Sequence, residues 1–174
     1  VVQVVKGFQR DRPEWFLTVF LIPFVLVGLG AIGAIFYQLL AMLNPRVKLT
    51  VGTTAIPIGG TTKLAWEVFG RVDRIGRLTI TLAGREEARY RRGTKTYTDK
   101  NTFYEAEVMS TIDGVQMNFG ETMLHVPDDT MHSFQANHNK IIWTVSVHGD
   151  IAHWPDVKEE FEITVVPPDV REDR

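Results

Sequence analysis

One apolar helix long enough to cross a membrane, followed by an antiparallel β-sandwich, is the mainly β architecture that this sequence predicts. Three observations predict it. Residues 15–43 run for twenty-nine positions without a formal charge. After them come several segments in which apolar and polar residues alternate with the period of a strand. No amphipathic pattern of ten or more residues interrupts those segments, so nothing competes with strands for the rest of the chain. The division that follows is a polar lead-in at 1–14, a transmembrane helix at 15–43, a sandwich at 46–167 and a polar tail at 168–174.

The apolar run is bracketed by Glu14 and Arg46. A hydrocarbon core of about 30 Å needs roughly 20 apolar residues in a helix, so the run spans it with some tilt. A helix that is apolar all round must be covered on every side, and the remaining chain is too short to wrap it. The run exceeds the 7–15 apolar residues (roughly) of a signal peptide and shows no small-residue cleavage site, so it is expected to be retained. Trp15 and Tyr37 fit interfacial aromatics, and Pro23 fits a kink. Gly30 and Ala34 have the small-xxx-small spacing that lets another backbone approach, and with Gly33 they are the candidate helix-packing residues. Glycine is also simply frequent in membrane helices. The absence of ionisable residues argues against a proton relay or ion path through this helix alone. Asn44 and Pro45 end it, because proline removes a donor and turns its predecessor away from helical geometry. Val1 in place of a Met reads as a processed or partial chain, and VVQVV as the end of a strand.

Four segments alternate cleanly. They are 62–68 (Leu64, Trp66 and Val68 on one face), 78–83 (Leu78, Ile80, Leu82), 141–148 (Ile141, Trp143, Val145, Val147) and 160–165 (Phe161, Ile163, Val165). Three more strands are expected at 46–51, 102–109 and 117–126, with turn signals at Gly59-Gly60, from Asp73 to Gly76 and at Asp113-Gly114. Seven or eight short strands, each with one inward face, make an antiparallel sandwich. Trp66 and Trp143 fall in line with Leu and Val neighbours and are expected in its core.

The chain has no cysteine. That removes disulfides, Cys-ligated zinc, Cys-attached haem and iron-sulfur clusters together. A net charge of −2 gives no case for nucleic acid. His125, His132, His138, His148 and His153 lie near Asp128, Asp129, Asp150 and Asp156, but no pair has the helical i, i+4 spacing that presents two imidazoles to one ion. His148 and His153 flank a bend, and a metal reading falls back on His132 and His138 in one loop. Ser110, Ser133 and Ser146 lack the context of an activated nucleophile, and Gly59-Gly60 and Gly93 lie in strand-linking turns rather than in a phosphate loop opening a helix. Glu159, Glu160 and Glu162 belong to or flank a strand whose polar face is solvated. No catalytic residue, cofactor or metal is therefore assigned. The charge cluster is Arg85, Arg89, Arg91, Arg92, Lys95 and Lys100, interleaved with Tyr90 and Tyr97. It reads either as a solvated hairpin tip or as a contact with an acidic partner or anionic lipid. Met131 and Phe134, in the long segment 127–139, either bind a partner or tuck back onto the core.

With the strands placed, TTKLAWEVFG, LTITLAGREEARYRRGTKTYTD and IIWTVSVHGDIAHWPDVKEEFEITVVP together resemble an arrestin-like β-sandwich of bacterial membrane proteins. The leading half is similar to the last membrane helix of proteins with a DUF3592-type domain, in which the helix ends in a short NPR-like stretch before a sandwich. The most specific piece is 141–166: an I-x-W strand, a W-P-D turn and an E-x-F-x-I-x-V strand. The resemblance implies an arrestin- or immunoglobulin-like sandwich with a binding role and no catalytic residues. It also points to the segment holding Met131 and Phe134, since partners bind loops at the sheet ends. The upstream membrane helix and intervening domain of the longer relatives have no counterpart in these residues.

The expected function is that of a non-enzymatic, single-pass accessory or scaffold subunit of a larger membrane complex, of the kind recruited by respiratory and photosynthetic assemblies. Its partners would be other membrane subunits and the bilayer. The alternatives are a membrane-anchored adaptor whose sandwich binds soluble partners or anionic lipid, and a metal-binding or enzymatic module. Lys6, Arg10 and Arg12 before the helix balance Arg46, Lys48 and Lys63 after it, so the positive-inside rule is undecided. The basic hairpin and the relatives' topology place the sandwich on the cytoplasmic side of a bacterial inner membrane.

Overall fold

A computed structural model describes residues 15–168; the lead-in, with the strand end read at 1–5 and the cations Lys6, Arg10 and Arg12, and the tail from 169 onward lie outside the described residues. The chain divides into two compact units, Val1–Leu43 and Asn44–Arg174.

In the first unit, α1 runs from Trp15 to Ala41 with Pro23 inside it. It stops two positions short of the end of the apolar run, where Met42 and Leu43 close a turn through hydrogen bonds to the carbonyls of Gln38 and Leu40. The 23 residues Val19–Ala41 are long and apolar enough to cross a membrane. At 1.5 Å per residue they measure about 35 Å. A signal sequence near an N-terminus meets the same test of length and composition.

The second unit is a β-sandwich. Its smaller sheet has the order β1 (Arg46–Val51), β3 (Thr61–Phe69), β6 (Phe119–His125). The larger has the order β2 (Ala55–Pro57), β9 (Val157–Val166), β8 (Asn139–Ile151), β4 (Ile75–Arg92), β5 (Lys95–Thr111), and β7 (Phe134–Gln135) pairs with β8 beyond the reach of β9. The alternation read in the sequence is the alternation of burial. Leu64, Trp66 and Val68 from the smaller sheet meet Leu78, Ile80, Leu82, Trp143, Val145 and Val147 from the larger in one core cluster. Each such side chain contributes about 1.5–3 kcal/mol on burial.

Each sheet makes room for one tryptophan by placing a glycine directly across from it. Trp66 pairs with Gly120, and Trp143 with Gly84. A Cβ at Gly84 would stand 2.6 Å from the Phe103 ring and 3.2 Å from the Trp143 indole, and one at Gly120 would overlap the Trp66 ring. Neither indole N–H is stranded: Trp66 Nε1 donates to the Gln116 carbonyl and Trp143 Nε1 to the Met131 carbonyl, both at 2.8 Å.

Three features depart from the expected short antiparallel strands. β4 and β5 are 18 and 17 residues long and form one extended hairpin. The expected strand at 117–126 begins only at Phe119, because Asp113 caps a short helix, α2 (Gly114–Asn118), by accepting from the N–H groups of Val115 and Gln116. β2 pairs parallel to β9, so the larger sheet is mixed.

Candidate functional site

The basic cluster read from the sequence lies on the β4–β5 hairpin, and its first and last members have different surroundings. β8 accompanies β4 as far as Ala88, paired with Asn139, and the Arg89 N–H then donates to the His138 carbonyl at 2.6 Å. Beyond that point β4 and β5 continue as a two-stranded arm: Arg89 pairs with Thr98, Tyr90 with Tyr97, Arg91 with Thr96 and Arg92 with Lys95. Gly93 closes the tip with φ +64°, a region that costs other residues about 1 kcal/mol or more. The strand period puts Arg85, Glu87, Arg89 and Arg91 on one face of the arm and Ala88, Tyr90 and Arg92 on the other. Tyr90 and Tyr97 stack across the strands with ring centroids 5.8 Å apart. The carboxylate of Asp99 beside the Tyr90 hydroxyl pushes that phenol's pKa up.

At the root of the arm, Glu87 gathers three cations. Its side chain, 12% exposed, lies 3.1 Å from Arg85 Nε, 3.5 Å from Lys100 Nζ and 3.7 Å from Lys140 Nζ. Burial acts to raise the Glu87 pKa, and the charges of Lys100, Arg85 and Lys140 outweigh it, so the carboxyl is held below its usual range and stays ionised. Lys140 comes from β8 and was not part of the cluster read from the sequence. The register places it opposite Glu87, just as it places Lys100 on the other side. Single-sequence reading had no signal for this, since the pairing of β4 with β8 joins residues far apart in the chain.

The other candidate residues are placed as follows. Gly30, Gly33 and Ala34 lie in α1, and nothing stands within 4 Å of a Cβ built at either glycine. Met131 turns its carbonyl to Trp143, while its side chain is 39% exposed. Phe134, in β7, is 48% exposed. The segment around them is stitched to the sheet: the Ser133 N–H donates to the Val165 carbonyl, and the Val165 N–H donates to Ser133 Oγ. Trp66 and Trp143 lie in the core cluster.

The bend after β8 brings together groups that the sequence reading kept apart. His148 Nε2 lies 3.3 Å from Asp156 Oδ2 and 3.6 Å from Asp150 Oδ1, and these three residues offer ligand atoms within 4.8 Å of one another. His153 occupies the left-handed region at φ +58° in the intervening turn. The Ile151 N–H, then the His148 ring, hold the Asp156 carboxyl below its usual pKa against the opposing effect of burial. The same bend carries the W-P-D turn, and it docks on the residues that follow α1. The Asn44 side-chain amide donates to the carbonyls of Pro155 and Asp156 at 2.9 and 3.0 Å, and its oxygen accepts from Trp154 Nε1 at 2.8 Å. Arg74 stacks over the Trp154 ring at 5.1 Å. The cluster is thereby part of a clamp that holds the chain's entry into β1.

A hollow of about 580 Å³ on the smaller sheet is lined by Lys48, Glu67, Phe119 and Glu121 among others. Opposite charges mingle there, which favours no single sign of ligand. The fold and these surfaces define a mainly β domain preceded by one apolar helix and armed with a basic hairpin. No protein-family model matches the chain, and no curated protein matches it in sequence. Among solved structures, the crystal structure of Spo0M, a sporulation control protein from Bacillus subtilis, is similar at 16% identity with a TM-score of 0.47, over 70% of this chain and 49% of that one. The chain thus spans about half the length of that protein.

Proposed function

We propose that this chain is a non-enzymatic interaction subunit anchored in a bacterial inner membrane by α1, which packs against helices of partner subunits in a larger membrane complex while the sandwich contacts those partners from the cytoplasmic side. The observation that carries the reading is α1 itself: its 23 residues Val19–Ala41 hold no Asp, Glu, Lys, Arg or His and expose apolar groups all round. Such a surface is stable only in lipid or against other helices. Gly30, Gly33 and Ala34, with the small-xxx-small spacing of Gly30 and Ala34, support a close helix contact. Kinship with the DUF3592-type membrane family, carried by Asn44-Pro45-Arg46 and the W-P-D bend, belongs to this reading.

The test is gentle solubilisation followed by identification of the proteins that stay bound. Gly30→Leu combined with Ala34→Leu should strip membrane subunits from the purified protein; an unchanged composition with an intact sandwich counts against helix packing. Resistance of the chain to alkaline extraction, with the helix still present by mass, separates a retained span from a removed signal sequence. The basic arm favours a second reading, in which the chain is an adaptor that binds acidic partners or anionic lipid. Reversing Arg89, Arg91 and Arg92 to Glu should then weaken association and flatten its salt dependence.

A further inference from the structure

The root of the arm forms one wall of a cleft of about 380 Å³, within the range of small-molecule sites, roughly 300–1,000 Å³. Arg89, Thr96 and Thr98 line it from the β4–β5 hairpin, and Asn137, His138 and Lys140 line it from the β7–β8 hairpin. The two hairpins are fixed to each other by the hydrogen bond from the Arg89 N–H to the His138 carbonyl, and the second is closed by the Ala136 N–H on the Asn139 carbonyl at 2.8 Å. From this geometry we infer a binding site for a phosphate monoester in the cleft between the two hairpins.

The chemistry of the lining selects the ligand. Glu87 also lines the cleft, but three cations, Arg85, Lys100 and Lys140, surround its one negative charge, so the cluster as a whole is net positive. Among the described residues Arg89 makes no ion pair, so its guanidinium is the unshared cation of the wall. Around it stand two threonine hydroxyls, an asparagine amide and an imidazole, all capable of donating. A dianionic phosphate, with three terminal oxygens that each accept more than one hydrogen bond, uses such a set more fully than a carboxylate does. Arg92, which alternates onto the opposite face of the hairpin, is outside the lining. The site deepens the adaptor reading above; binding of the phosphate itself does not depend on α1 crossing a membrane, so the two fail separately.

Two sources share this chemistry, a soluble phosphomonoester and the headgroup of a phosphatidic-acid-type lipid. The full chain is placed in nanodiscs of phosphatidylcholine, and glycerol 3-phosphate is titrated while the His138 ring resonances are followed. The expected result is saturable binding that weakens by about tenfold in Arg89→Ala, the loss of one charge-assisted hydrogen bond, and by less in Lys140→Ala, whose ammonium is shared with Glu87. It should be nearly unchanged in Arg92→Ala and retained in Lys140→Arg, with an unchanged thermal unfolding midpoint of every variant reporting an intact core. In nanodiscs containing phosphatidic acid, a His138 shift already present before titration assigns the lipid as source, and unchanged glycerol 3-phosphate affinity assigns the soluble ester. No saturable shift in either disc overturns the site. An equal loss in Arg92→Ala also overturns it, by reducing the effect to unspecific attraction to a basic surface.

Discussion

The two ends of the β4–β5 hairpin obey the same strand geometry and have different fates. At the base, Leu78, Ile80 and Leu82 alternate inward and are buried beneath the second sheet, and Gly84 opens space for Trp143. At the arm, Tyr90 and Tyr97 hold the inward register and remain exposed, because neither β8 nor the smaller sheet reaches them. Alternation sets which way a side chain points; coverage by another layer sets what that direction is worth. The base is therefore a place where substitutions act on stability, and the arm a place where they leave it nearly unchanged.

Four sets of substitutions separate the base from the arm. Trp143→Ala removes the largest side chain at the base and the donor to the Met131 carbonyl, and should cost about 3–5 kcal/mol, read as a fall in the thermal or denaturant midpoint of the solubilised chain. A cost within about 0.5 kcal/mol, the surface norm, would erase the distinction between base and arm. Gly84→Ala should cost about 1–3 kcal/mol through overpacking against Phe103. The same readout serves, and a neutral result would mean that the Phe103 ring gives way freely.

Asp156 sharpens the contrast through pH. The Ile151 N–H and His148 lower its folded pKa, so its contribution to stability is present above the ordinary aspartate pKa and is lost as pH falls through the lower folded value. Asp156→Asn should flatten that acid limb of the stability profile, whereas Arg91→Ala should leave it unchanged. Parallel profiles for Asp156→Asn and the unaltered chain would mean that the Asp156 carboxylate contributes nothing to stability through Ile151 and His148. The smallest effect is expected at the arm tip, where changing Arg91 and Arg92 to Ala should alter stability by no more than about 0.5 kcal/mol. A larger loss, measured by the same unfolding curves, would make the tip a structural element.

The base was legible in the sequence strand by strand, and the arm only as a hairpin tip without its length or register, for one reason. Leu78, Ile80 and Leu82 announce a strand because burial demands the alternation, whereas from Arg89 to Lys100 the side chains of both faces are exposed and no periodic apolar signal exists. The residues appeared as a charge cluster around two tyrosines, without the strand register that sorts them onto two faces. The spacing of Gly84 and Gly120 carries no hint of their tryptophans, since each pair is made across strands by register. His148, Asp150 and Asp156 were kept apart for a similar reason: the bend through His153 folds the chain back, and linear spacing across a bend does not measure distance. Asn44-Pro45 and Trp154-Pro155-Asp156 stood out as separate motifs, and three hydrogen bonds make them one.

The short parallel pairing of β2 with β9 has a consequence for the order of assembly. Ala55, Ile56 and Pro57 lie beside Thr164, Val165 and Val166, so an early-made segment takes its place in the larger sheet only after a strand synthesised roughly a hundred residues later has formed. At about 5–20 residues per second that is a wait of several seconds on the ribosome. Until β9 forms, the segment 55–57 has no neighbouring strand in that sheet, and the burial of Ile56 in the core is completed only when it does.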